Sequence, residues 1–168
     1  FRINSLGRAA FTTAVVVAVA VLFSLAGLVA AGEQVPFKGS LDGSVTITPI
    51  NPPVVSVRIE ATGNGTHLGR YTLQFNAVVN QATRTQVGLA SIVITAANGD
   101  TITAAGSGGQ ASVVAPGVLS IVDPATITGG TGRFADATGS LVFRRTFFVA
   151  AGMTTGSFEG TISSVGQG

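Results

Sequence analysis

Beyond residue 36 the chain alternates apolar and polar positions. In FKGSLDGSVTIT, residues 37–48, Phe37, Leu41, Val45 and Ile47 share one parity, whereas Lys38, Ser40, Asp42, Ser44, Thr46 and Thr48 share the other. A period of two describes a strand with one buried face. The breaker PINPPV, residues 49–54, ends it, and VSVRIEAT resumes with Val55, Val57, Ile59 and Ala61 on the apolar side. The turn Gly63-Asn64-Gly65-Thr66 permits a register test, because a slip of one residue turns every side chain to the wrong face. A three-residue loop, Asn64 to Thr66, keeps the faces consistent. It sets Ile59 opposite Tyr71, Val57 opposite Leu73 and Val55 opposite Phe75, with Glu60 facing Arg70 outside.

Further strands are predicted at 87–96, 101–108, 118–128, 141–149 and 155–163, the first two joined through Asn98-Gly99. Alternation is poorer in 87–96, which is apolar on both faces, and in 101–108, where Thr alternates with Ala and Gly. Eight consecutive strands with short connections must stack as a sandwich or close on themselves. Closure removes the unpaired edges. Gly39, Gly43, Gly69, Gly156 and Gly160 on the apolar faces favour it, since missing side chains allow tight coiling. The expected fold is all-β, an eight-stranded antiparallel up-and-down barrel over residues 33–168.

Ahead of it lies a segment of another kind. Residues 9–32 carry no charge, follow Arg2 and Arg8, and end in small residues, with Val29 and Ala31 placed as a signal peptidase reads them. Residues 1–32 therefore read as a signal peptide cut after Ala31 or Gly32, and the domain as secreted, periplasmic or otherwise of the cell envelope. The rival is a retained anchor helix, long enough to cross a hydrocarbon core of about 30 Å. Setting the segment aside leaves seven basic against seven acidic residues, scattered along the chain. Nucleic acid is excluded as a partner, since phosphate binding needs clustered cations. Membrane contact is expected only through residues 9–32. With no cysteine the domain must be held by burial alone.

GGTGRFADATGS, residues 129–140, lies between two strands and resembles the glycine-rich connection of the allene oxide cyclase and dirigent barrels. THLGRY, residues 66–71, and TTGSFEGTIS, residues 154–163, are closer to small exported bacterial proteins of unassigned function. The resemblance implies an eight-stranded barrel with an apolar lumen. Read from its residues, the connection places Phe134 as an inward plug with Arg133 in water. A phosphate loop is not expected, because no helix and no Gly-Lys-Ser/Thr ending follows.

Candidate chemistry is sparse. Pairing Ile127 with Leu141 sets Ala125 opposite Phe143, Ile121 opposite Phe147 and Asp123 opposite Arg145, so two charges fall on the apolar side. They read as a structural ion pair or as the polar anchor of a pocket. His67, the single histidine, is expected near a barrel mouth, as a turn residue or a general base. Tyr71, Phe75, Phe143 and Phe147 complete the ligand-binding candidates, and the expected lumen is lined from Val55, Ile59, Tyr71, Phe75, Phe143 and Phe147. One histidine and no cysteine exclude a zinc site, and no cofactor is expected. The primary expectation is a noncatalytic barrel holding a small apolar molecule, a lipid or a phenolic. The alternatives are an isomerase or cyclase of allene oxide cyclase type and a structural envelope or filament protein with its N-terminal helix retained. The resemblance carries no catalytic residues over, because the family's cysteine is absent and Glu60 points outward.

Overall fold

The computed structural model describes residues 32–163. The signal-peptide and anchor readings of the N-terminal segment lie outside those residues. Within them the chain forms β1 (Gln34–Asn51), β2 (Val54–Gly65), β3 (Gly69–Asn80), β4 (Thr85–Ala96), β5 (Thr101–Ser107), β6 (Gln110–Ala115), β7 (Val118–Gly130), β8 (Gly139–Phe148) and β9 (Met153–Ser163). Every pairing is antiparallel, and β1 pairs with both β2 and β9, so the sheet closes. Strand order follows chain order around the ring. β5 and β6 share one place in it. β5 bridges β4 and β7, and after Gly108-Gly109 β6 continues along β7, touching β4 at Thr85 and Gln110. Nine segments thus make an eight-stranded barrel, as the alternation requires.

β6 was not anticipated from the sequence. Its residues are almost all exposed, because it lies beyond the body of the barrel and covers no core. A strand with no buried face shows no alternation.

The two registers inferred from the sequence are corrected, both without a change of face. In the first hairpin Ile59 faces Phe75, Val57 faces Ala77 and Glu60 faces Gln74, because the loop is Thr66-His67-Leu68 with Gly65 opposite Gly69. Leu68 is buried, and burying that apolar side chain fixes the turn farther along the chain. Glu60 accepts from Arg58 on its own strand and does not meet Arg70. In the second, Ile127 faces Gly139, Ala125 faces Leu141 and Ile121 faces Arg145, a displacement of two residues. β7 runs on to Gly130, which shortens the connection. Partners displaced by an even number of residues, four in the first hairpin and two in the second, keep their parity, so inward residues stay inward.

Tight coiling follows from bare backbone. A Cβ on Gly160 would stand 1.9 Å from the Ser140 carbonyl oxygen, and one on Gly156 would stand 2.2 Å from that of Arg144. No side chain fits there, which lets β8 and β9 approach closely. Gly69 is different, an exposed turn residue with nothing near its missing Cβ.

The two ends differ. At one, the β7–β8 connection folds over the opening in a 3₁₀ turn, Gly132–Phe134, and drives Phe134 wholly into the core. Gly132 has φ +55°, and a Cβ there would lie 1.9 Å from Asp100 Oδ1, so only glycine serves. Thr131 accepts from the Thr101 N–H, and the Arg133 guanidinium stays outside above the Phe134 ring. Below this plug Phe37, Phe143 and Tyr71 pack around the Phe158 ring, Tyr71 edge to face and the two phenylalanines tilted. The other end is open.

Candidate functional site

The open end is formed by the β1–β2, β3–β4, β6–β7 and β8–β9 turns. A cavity of about 190 Å³ descends from it, walled by Val55, Val57, Phe75, Ala77, Leu119 and Phe147 among others. Its floor is aromatic, with Phe143 set edge-on beneath Phe75 at 6.5 Å between ring centroids. The walls are apolar because these residues hold the inward parity of their strands, and the space exists because Ala77, Ala111 and Gly109 are small.

Two charges enter this apolar volume. Arg145 on β8 donates through Nε to Asp123 Oδ2 on β7 at 2.8 Å, with 7% and 5% of the side chains exposed. They are diagonal neighbours, because Asp123 lies opposite Phe143 and Arg145 opposite Ile121. The guanidinium also lies over the Phe75 ring, 5.6 Å from its centroid. Taking both ions from water is costly, and their mutual contact offsets that cost only while both are present.

Asp123 has a second neighbour. A Cβ on Gly109 would stand 2.4 Å from Asp123 Oδ1 and 3.0 Å from Gln86 Oε1, so both oxygens pack against this glycine and leave no room for a side chain. Gln86 Nε2 donates to the carbonyl oxygens of Gly88 and Gly106 at 2.7 and 2.8 Å. Those two bonds fix the amide's orientation. Its Oε1 is buried and has no hydrogen-bond partner.

The sequence candidates divide between the two ends. Asp123, Arg145, Phe75 and Phe147 line the cavity, and Phe143 lies under it. Val55 also lines it, but Ile59 and Tyr71 do not. Tyr71 is buried at the plugged end, where its hydroxyl donates to the Ser40 carbonyl. Burial, aided by the Asp42 carboxylate, holds its phenol well above the ordinary tyrosine range. His67 is exposed at the tip of the β2–β3 turn with φ +62°, at the end away from the cavity, so its placement at the pocket entrance is corrected. The turn that buries Leu68 turns His67 into water.

Gln86, Arg84 and Gly109 were missed. A signal for Gln86 exists, since it shares the even parity of Ala90, Ile92, Ile94 and Ala96. Extending the predicted strand by one residue would have placed a glutamine inside. Arg84, in a turn with φ +57°, stands exposed at the mouth.

The mouth has an unusual border. Segments 46–57, 77–90, 107–122 and 146–155, which form this end, contain one charged residue, Arg84. Among the described residues, the large hydrophobic side chains left in water all lie on these segments, with Leu89, Val114 and Ile50 the most exposed. Also among the described residues, no group of three or more acidic or histidine side chains is placed to hold a metal ion. Comparison with protein-family models, with curated proteins and with solved structures gave no match.

Proposed function

We propose that the protein is an exported barrel that binds a small, largely apolar molecule in its open end without transforming it. The observation that carries this reading is a cavity with apolar walls and one buried Asp123–Arg145 pair. Such a composition, greasy walls with a few placed polar groups, is what small-molecule sites use. The border, with Arg84 as its one charge, supports it by offering an apolar solute a path with little polar desolvation. A noncatalytic role is favoured over an isomerase or cyclase because the carboxylate in the cavity, Asp123, is already engaged by the Arg145 guanidinium. His67, the other obvious base, is at the far end. The resemblance to dirigent barrels, which steer substrates without acting on them, points the same way. Export rests on the residues that precede the barrel, Arg2 and Arg8 followed by the uncharged run 9–32.

Native mass spectrometry of the full chain purified from its source tests the proposal. The expected spectrum shows a copurifying small molecule, lost when Phe75→Trp narrows the cavity, and a mature N-terminus at residue 32 or 33. A chain that carries no adduct and gains none when soaked with single-ring aromatic compounds counts against binding.

A further inference from the structure

We propose that the open end of the barrel docks on the surface of an anionic phospholipid bilayer, with three apolar turn tips entering the lipid and Arg84 reaching a headgroup phosphate. This contact is separate from any made by residues 9–32 and does not require a guest in the cavity. The first observation is where the exposed apolar side chains lie. Ile50 beside the β1–β2 turn, Val114 beside the β6–β7 turn and Val149 in the β8–β9 turn are 58%, 61% and 49% exposed. The same turns add Pro52, Pro53, Pro116, Ala150 and Ala151, all in water. Single exposed aliphatic residues are ordinary on a protein surface, but their collection at one end of a barrel marks a contact surface.

The second observation is the distribution of charge. No carboxylate lies on the segments that form this end, whereas Glu33, Lys38, Arg70, Asp100, Arg133 and Asp136 gather at the plugged end. The barrel is amphiphilic along its axis, with one end suited to water and the other gaining by leaving it. The third is Arg84. It stands exposed on the remaining turn of the mouth, β3–β4, and no described carboxylate pairs with it. A guanidinium among apolar tips suits a phosphate, which it can hold through two parallel N–H donors. A second copy of the chain fits less well. Two mouths face to face would bring two Arg84 cations into one contact with no carboxylate on either rim to receive them. The tips are also separate points around an opening, which fluid lipid closes around and a rigid surface leaves partly unfilled.

The chain has no cysteine, so Ala150→Cys or Ala97→Cys carries a single environment-sensitive nitrobenzoxadiazole dye, the first at the mouth and the second in the β4–β5 turn at the plugged end. Each labelled full chain is titrated with vesicles of phosphatidylcholine, alone or mixed with phosphatidylglycerol, with and without nitroxide-bearing acyl chains. The dye at position 150 is expected to shift to the blue and to be quenched by the nitroxide, and the dye at 97 to do neither. Attachment through residues 9–32 alone leaves both dyes in water. Combining Ile50→Ser, Val114→Ser and Val149→Ser should raise the lipid concentration needed for the response at 150 by about tenfold or more, with an unchanged melting temperature. Should that variant melt early, Val114→Asp alone is expected to act the same way by setting a carboxylate against anionic lipid. Arg84→Gln should weaken binding to the mixed vesicles about fivefold and binding to phosphatidylcholine less; equal binding by this variant overturns the headgroup contact. A dye at 150 that stays in water with mixed vesicles, equal responses at 97 and 150, or substituted tips that enter lipid as the parent does overturns the inference. A dimer that forms without lipid and is abolished by the serine substitutions assigns this end to a second copy and overturns it as well.

Discussion

Asp123 and Arg145 place opposite charges on the apolar side of two neighbouring strands, with 5% and 7% of their side chains exposed. Two charges on an apolar parity had to pair or reach water, and the chain does the first. Removing one partner leaves the other ion buried. Arg145→Met is therefore expected to cost about 3–5 kcal/mol, and the double variant Asp123→Leu with Arg145→Met distinctly less. Urea unfolding midpoints of the three proteins check this, and equal losses in single and double variants would contradict it. Tyr71 gives a second residue-scale prediction. Its folded pKa is raised above the unfolded value near 10, so the stability it lends is complete below about pH 10 and is lost as pH rises beyond it. The chain has one tyrosine and no tryptophan, so absorbance near 295 nm reports this phenol alone. Phenolate should appear together with unfolding, as seen by circular dichroism. Ionisation near pH 10 in a folded chain would refute a buried, bonded hydroxyl.

At the scale of elements, parity survives where register does not. Hydrophobic alternation records which face a residue occupies, and partners displaced by two or four residues leave that record unchanged. What fixes the register is Leu68 burying itself within a turn and β7 continuing to Gly130, neither of which a pattern of period two encodes. β6 escaped for a related reason, having no core to cover, and Gln86 escaped because the predicted strand stopped one residue short of it. The plug was readable: one large apolar residue in a glycine-rich stretch could only be spent inside. Phe134→Ala should then cost about 3–5 kcal/mol by leaving a void under the 3₁₀ turn, measurable as a lowered denaturant midpoint. A change below about 1 kcal/mol would mean that the connection does not seal that end.

The barrel joins two unlike halves. Aromatic packing and the plug fill one half, while glycine and alanine hollow out the other, which ends in a border with a single exposed cation. The eightfold closure was within reach of the sequence because it is a sum over many repeated faces. An apolar lumen was also within reach, but its confinement to one end, away from Ile59 and Tyr71, was not, because volume is the small difference between side chains that meet and side chains that fall short. Phe134 has one last consequence. A vessel stoppered at its base has, among the described residues, a single doorway, so a guest of the proposed kind would depart by the route it arrived, rivals would queue at the same threshold, and the barrel would suit carrying a cargo rather than passing it through.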